Sequence, residues 1–299
     1  MKKIYVVTSA LAASALLLAG CASATPTETA TKAAAGVDSK AAALLPASYQ
    51  KAGINVGSDI PYAPMEMFDS SNNPIGFDVD IANALGAKLG VSVKFEKQAF
   101  DSLIPSLQAG KHDLAISSMS DTLDRQKVLD FVDYFNGGAS LLVKADNTTI
   151  TSLGDTCGQA VAAEAATWEV DLIKQQSADC VKAGKKAITL QNLPDDPSAL
   201  SAVKAGNAVA YLGDSQVVAY DAKNAGAGKY FKLVIDPKAP NGYESGLIGV
   251  GILKKNTGLR DAVQAAMQSI MDDGTYDKLL SKWNLGSFMV MSATVNGTK

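Results

Sequence analysis

From Ile54 onward, short runs of alternating apolar and polar residues give way, again and again, to apolar residues at helical spacing. Ile54-Asn55-Val56-Gly57 reads as a strand that empties into a loop, Ser58 to Tyr62, with Pro61 and Pro64 close by. Ile75 to Asp80 leads into a helix with Ile81, Leu85 and Leu89 on one face, and Val91 to Phe95 alternates as a second strand. Phe100 to Ala109 reads as a helix with Leu103, Ile104 and Leu107 inward and Gly110 as its stop. Leu114-Ala115-Ile116 is a short buried strand, after which Thr122 is expected to cap a helix carrying Arg125. The pattern restarts after Leu141-Leu142-Val143. Strands are expected at 159–162, 187–190, 208–212 and 246–253, and helices from Trp168 to Ile173, from Ala199 to Lys204 and from about Leu259. Gly274 interrupts that last helix before Tyr276, Leu279, Leu280 and Trp283 complete an amphipathic ending. Alternation of this kind predicts parallel sheets with helices on their faces.

Two stretches match loosely in kind. Ser106 to Asp113 and Ser201 to Val209 each place a helix, a glycine stop and a buried strand in succession, which suggests two similar α/β lobes. A chain of 299 residues is comfortable for two such units.

The first residues follow a different rule. Lys2 and Lys3 precede an apolar run from Ile4 to Leu18, too short and wrongly flanked for a spanning helix, so residues 1–20 read as a leader. The run closes on Leu18-Ala19-Gly20-Cys21, similar to a bacterial lipobox, in which cleavage precedes the cysteine and its thiol is acylated. An ordinary leader with a chance cysteine is the alternative. Residues 21–45, rich in Ala, Thr and Ser, read as a flexible tether, with order expected near Leu44-Leu45-Pro46. Export would place the rest in an oxidising compartment, where Cys157 and Cys180 read as a disulfide rather than two free buried thiols.

Composition narrows the chemistry. A formal net charge of −3 with 19% charged residues argues against nucleic acid, and no basic run suggests an acidic membrane surface. With one histidine, His112, and neither CxxC nor HExxH, no metal or cofactor site is expected; His112 itself is expected to be exposed at a helix exit.

Ligands of open α/β sheets bind beyond the carboxyl ends of the strands. The residues expected there suit a zwitterion. Arg125 offers a planar fork for a carboxylate, Ser120 and Thr122 stand at the expected helix start, and Asp214 offers the opposite charge to an ammonium group. Tyr62 and Phe100 could sandwich a side chain, and Asp59 or Glu66 could meet its tip. Plainer roles compete: Arg125 paired with Asp121 or Asp124, Asp214 as a helix cap, the two rings in a core, Glu66 purely structural, and Met65, Met67 and Met119 as packing.

A resemblance extends this reading. Asp59-x-x-Tyr62-x-Pro64, Gly76 to Asp80, Phe100 to Leu107, Ser117 to Gln126, Gly213-Asp214-Ser215 and Asp273 to Leu279 are similar to segments of the family 3 bacterial solute-binding proteins, which serve polar amino-acid importers. The resemblance runs from about Ile54 to Trp283. It implies an α/β, two-lobed fold like that of periplasmic binding proteins (type II), each lobe a mixed, mostly parallel sheet flanked by helices, joined by a two-strand hinge. One lobe would comprise 46–138 plus 246–299 and the other 139–245. It implies that Arg125 holds a ligand α-carboxylate with the backbone of Ser120 and Thr167, that Asp214 and the Ser118 region hold the ammonium, and that Tyr62 and Phe100 flank the side chain. It further implies a lipid-anchored monomer outside the cytoplasmic membrane, delivering a polar L-amino acid, basic or amide, to the permease subunits of an ABC importer without catalysis. Relatives on this fold that dehydrate cyclohexadienyl acids, for which Glu66 would be the acid, and sensory binding proteins are the alternatives. One departure stands out: where the family often reads Gly-Thr-Thr, this chain has Ala165-Ala166-Thr167, followed by Trp168.

Overall fold

The computed structural model describes residues 36–240 and 242–299. The expected leader, Cys21 and most of the expected tether lie outside the described residues. Order begins earlier than Leu44: helix α1 spans Ser39–Leu44, started by Asp38, whose carboxylate accepts from the backbone N–H of Lys40 and Ala41. Ala41 and Leu45 are buried beside a late helix of the chain, and α2 (Ala47–Ala52) follows at once.

The first β/α run comprises β1 (Ile54–Ser58), a small hairpin of β2 (Met67–Phe68) and β3 (Pro74–Ile75), α3 (Phe77–Leu89), β4 (Val93–Lys97), α4 (Leu103–Gln108) and β5 (Leu114–Ala115). A sixteen-residue strand, β6 (Leu129–Lys144), leads out of it. The second run comprises β7 (Ala160–Glu164), α5 (Trp168–Lys182), β8 (Thr189–Leu193), α6 (Asp196–Ala205), β9 (Ala210–Asp214), α7 (Ser215–Asn224) and β10 (Phe231–Val234). Then β11 (Tyr243–Leu253) returns, and α8 (Thr257–Asp272) and α9 (Thr275–Trp283) follow.

The strands form one sheet in the order β4-β1-β5-β11-β6-β9-β7-β8, with β10 also paired to β6. β1 pairs parallel with β4 and β5, and β7 pairs parallel with β8 and β9. Between these parallel sets lie β11 and β6, antiparallel to each other and to their neighbours. The fold is thus the two-part α/β architecture expected, with a mixed sheet flanked by helices.

The core divides with the sheet. Ile54, Val56, Leu114 and Val250 join α3, α8 and α9 in one cluster, in which Phe77 packs near Tyr134, Phe135 and Tyr276. On the opposite face, Leu103 and Leu107 of α4 cover Ala115, Leu129 and Phe131. In the second run, Leu141 and Val143 of β6 face the cluster around α5, whereas Leu142 between them faces α6 and α7. This is the period-two alternation of a strand buried on both faces.

Two expectations need correction. Thr122 does not cap an α-helix: only a 3-10 turn, Arg125–Lys127, forms before β6 begins, so no helix N-terminus is available there. A long apolar strand starting four residues after Arg125 leaves no room for one. His112 is buried, at 4% exposure, rather than exposed. Its ring lies against Gly57 of β1, where even a Cβ would come within 2.7 Å of it, so the bare glycine makes the slot that accepts the ring. Finally, α7, β10 and the first half of β6 were not marked by the sequence pattern.

Cys157 and Cys180 form a disulfide with their Cα atoms 5.6 Å apart, tying the start of β7 to the end of α5. Closing a loop of this length stabilises by about 3 kcal/mol in the chain-entropy model. Replacing both cysteines by alanine should lower the unfolding free energy read from urea titration by that amount without changing the far-UV circular dichroism of the folded protein.

Candidate ligand-binding site

The carboxyl ends of β1, β5, β7 and β9 converge on a small cavity. Its wall contains all eight expected ligand residues: Asp59, Tyr62, Phe100, Ser118, Ser120, Arg125, Thr167 and Asp214. Ser117, Glu164, Trp168 and Glu169 complete it.

Asp59 follows the end of β1 and is buried; its N–H donates to Ser117 Oγ at 2.8 Å. Tyr62 belongs to a tight loop that folds onto α3. Gly76, at φ 140°, accepts the close approach of this loop, because any side chain there would collide with the carbonyl of Met65. Phe77 and Asp78 then donate their N–H groups to the carbonyls of Pro64 and Met65, at 3.0 and 2.9 Å.

Ser118, beyond β5, adopts φ 45°, a left-handed conformation uncommon for a residue with a side chain. Two bonds hold it there. Its N–H donates to Asp78 Oδ2 at 2.8 Å, and its hydroxyl donates to Asp214 Oδ2 at 2.8 Å. Asp214 stands at the start of α7 but makes no capping bond; its carboxylate instead accepts from Ser118 and, at 3.2 Å, from Gln216 Nε2. The cap reading is therefore replaced by a contact that reaches from the second run of the chain to the first.

Arg125 does not pair with Asp121 or Asp124, since Asp124 takes Lys127 at 2.6 Å and Asp121 takes Gln126 at 2.8 Å. Its guanidinium donates to the carbonyl of Ser120 at 2.9 Å and to that of Ala166 at 3.0 Å, and lies 5.2 Å from the centre of the Phe100 ring. Within the departing stretch Ala165-Ala166-Thr167, Ala166 holds φ 64°, a left-handed conformation, and its carbonyl meets Arg125. Thr167 donates its hydroxyl to the carbonyl of Glu164 at 2.8 Å and begins α5.

Glu66 is fully buried but does not line the cavity; its Oε1 accepts from Ser117 Oγ at 2.5 Å. Met65 and Met119 are core residues, and Met67 is half-buried.

Four carboxyl groups, Asp59, Glu164, Glu169 and Asp214, therefore share this space with one guanidinium. Burial raises the pKa of all four. For Glu164 the rise reaches about 11, driven first by burial and then by its hydrogen bond to Asp59. Glu169 is raised first by burial and then by the charge of Asp214. Glu164 Oε1 and Glu169 Oε1 are buried without a hydrogen-bond partner. Both glutamates were missed in the sequence, though a signal existed: a lone acid closes the apolar run Ala160 to Ala163, as Asp214 closes Ala208 to Gly213. Among the described residues no cluster of metal-ligating side chains occurs.

These shifts set the pH dependence of folding. Glu164, at about 11 against 4.5, and Asp221, at about 9 against 3.8, hold protons that the unfolded chain releases above about pH 4.5. The unfolded state then binds fewer protons, so stability falls as pH rises, by up to about 1.4 kcal/mol per pH unit for each such group. The melting temperature without ligand should drop between pH 5 and pH 8, and Glu164→Gln should flatten that slope.

Residues 54–286 match the family model described as bacterial extracellular solute-binding proteins, family 3. The arginine-binding protein ArgT of Corynebacterium glutamicum is 28% identical over 258 residues, covering 85% of this chain and 82% of that protein. An ABC transporter arginine-binding protein of Escherichia coli K12 is 30% identical over 232 residues, covering 77% and 90%. The solved structure of an ancestral arginine-binding protein bound to glutamine superposes with a TM-score of 0.68 at 31% identity, covering 78% of this chain and 97% of that one. The chain belongs to the bacterial extracellular solute-binding proteins of family 3.

Proposed function

We propose that this protein captures an L-amino acid with a cationic side chain outside the cytoplasmic membrane and presents it, as a monomer and without chemistry, to the permease subunits of an ABC importer. The observation that carries this reading is the charge of the cavity. Arg125 balances a ligand carboxylate and Asp214 an α-ammonium group, which leaves Asp59 and Glu164 together without a cation. A guanidinium or ammonium tip would replace the proton they share. Tyr62 and Phe100 flank the chain between the two ends, with about 0.5–2 kcal/mol available from a cation over their faces. The backbone of Ser120 and Thr167 assists at the carboxylate, and Ser118 at the ammonium. The names of the relatives, arginine-binding proteins, point the same way. Glu66, the acid a dehydratase reading named, stands outside the cavity wall, and the relatives are named as binding proteins, which supports capture without chemistry.

On this reading residues 46–138 plus 246–299 form one lobe and 139–245 the other. The chain passes between them within β6 and β11, and the lobes close on the ligand as a hinge. Residues 1–20 are a leader, and lipid on Cys21 anchors the mature chain through a tether. Replacing Cys21 by Ser should release the protein from the membrane fraction; unchanged fractionation, with no lipid on the N-terminal peptide, overturns the anchor.

Calorimetry tests the ligand. L-arginine should bind more tightly than L-glutamine, and binding near pH 7 should release protons, seen as a dependence on buffer ionisation enthalpy. Arg125→Ala should cost every amino acid about 2–5 kcal/mol. Glu164→Gln should weaken arginine much more than glutamine. Equal losses for both ligands, or tight binding of L-glutamate by the parent protein, would sink the cationic assignment.

A further inference from the structure

The segment that follows α9 lies almost wholly beyond the family match, which ends at residue 286, and it does not trail into solvent. It runs back across the sheet toward the site. Ala293 is buried, its N–H donating to Gln268 Oε1 at 3.1 Å. Val295 then pairs antiparallel with Val132 of β6. The N–H of Asp133 donates to the carbonyl of Thr294 at 2.9 Å, and that of Asn296 to the carbonyl of Phe131 at 3.0 Å. Side chains of β6 reinforce this short strand. Asp133 Oδ2 accepts from Thr294 Oγ1 at 2.6 Å and from the Gly297 N–H at 2.9 Å, and Asp130 Oδ1 accepts from Asn296 Nδ2 at 2.9 Å. A Cβ at Gly297 would lie 2.5 Å from the Leu247 side chain and 2.8 Å from that of Asp133, so a larger residue there would have to displace them.

The segment ends against the loop that carries Arg125. The Thr298 N–H donates to Asp121 Oδ2 at 3.1 Å, and Gln126 Nε2 donates both to the Thr298 carbonyl at 3.0 Å and to Asp121 Oδ1 at 2.8 Å. Asp121 and Gln126 bracket Arg125. On its other side the loop is held by β11, where the Asp121 N–H donates to the Leu247 carbonyl at 2.8 Å and the Gly249 N–H to the Met119 carbonyl at 3.0 Å. With no α-helix at 122–125, these two flanks are what hold the loop: β11 on one side, residues 294–298 on the other. Asp121 is buried, and both its oxygens are satisfied through Thr298 and Gln126. Without the segment one oxygen of a buried carboxylate loses its donor, an arrangement that favours moving the loop toward water.

We infer that residues 294–298 are a strap that positions Arg125 for the ligand carboxylate, with Asp121 and Gln126 as the positioning residues through which it acts. The inference rests on the proposed role of Arg125, and two measurements separate the failure of one from the failure of the other. The first needs no ligand. Hydrogen–deuterium exchange is followed in the parent, in a chain ending at Ala293, and in Thr298→Pro, which lacks the donor to Asp121 but keeps the length. Exchange across residues 119–127 should rise in both variants while β1 and α3 keep parent rates. Parent-like exchange at 119–127 overturns the strap whatever the protein binds, and a rise spread over the whole fold makes the segment merely structural. The second is calorimetry with L-arginine and L-argininamide, which keeps the side chain and ammonium but lacks the carboxylate. Both variants should bind arginine about tenfold more weakly, a shift of about 1.4 kcal/mol, with argininamide affinity unchanged. Equal loss for both ligands, or none for arginine, overturns the strap as a positioning device. A parent protein that binds neither ligand while loop exchange responds as expected removes the proposed function and leaves the strap standing.

Discussion

Four carboxyl groups held out of water around one guanidinium are the constraint on which the site depends. Like charges gathered in a poorly screened interior repel one another, and no fold collects them without compensation. Here the compensation takes three forms. Protons remain on the Asp59–Glu164 and Glu169–Asp214 pairs at pH values where free carboxyls are ionised. Neutral donors, Ser118 and Gln216, are aimed at Asp214. Behind the wall, burial lifts Asp78 to about 6 even though Tyr134 and the Ser118 N–H both donate to it. On the proposed reading, a cationic ligand tip takes the place of the proton held by the Asp59–Glu164 pair.

The sheet makes this convergence possible. β1 and β5 run parallel in one half, β7 and β9 in the other, and the antiparallel pair β6 and β11 lies between them. All four parallel strands therefore bring their carboxyl ends to the same space, which is where chain polarity lets short loops leave the sheet. The two long strands belong to both halves, so the halves are coupled through backbone ladders rather than through a packed interface alone. Ala139 of β6 pairs with Asp214 of β9, so the ladder that crosses the molecule also fixes the acid expected to meet the ammonium.

What the sequence made legible follows from how local each signal is. Period-two and helical runs located β1, α3, β7 and α6 to within a few residues, and the starts of α5 and α8, because their apolar faces repeat within a single element. Asp59, Arg125 and Asp214 were legible because they sit just past apolar strands or in a polar loop with a recognisable spacing. Glu164, at the end of β7, and Glu169, in the first turn of α5, were not, since each gains meaning only from an acid far along the chain. His112 misled for a similar reason: its exposure is decided by the missing side chain of Gly57, distant in sequence. The helix expected at Thr122 failed because capping chemistry is a weak preference, and a strand buried on both faces overrides it.

The contacts that join the two halves across the cavity use the same groups that a zwitterion would engage. Ser118 reaches Asp214, and Arg125 reaches the carbonyl of Ala166. Both Ser118 and Ala166 hold left-handed backbone conformations, and strain of this kind persists only where surrounding bonds over-determine it. A ligand carboxylate at Arg125 and an ammonium at Asp214 would thus reinforce existing bridges, adding charge to contacts that are now charge-to-neutral. The guanidinium has five donors and uses two on carbonyls, so it can keep its hold on Ala166 while accepting a carboxylate. On the proposed reading, closure and recognition are one event: the geometry that brings Ala166 to Arg125 is the geometry that completes the carboxylate site. The loop bearing Arg125 must then be placed with the accuracy of a hydrogen bond, which is why a buried carboxylate at Asp121, rather than a solvated turn, is found beneath it.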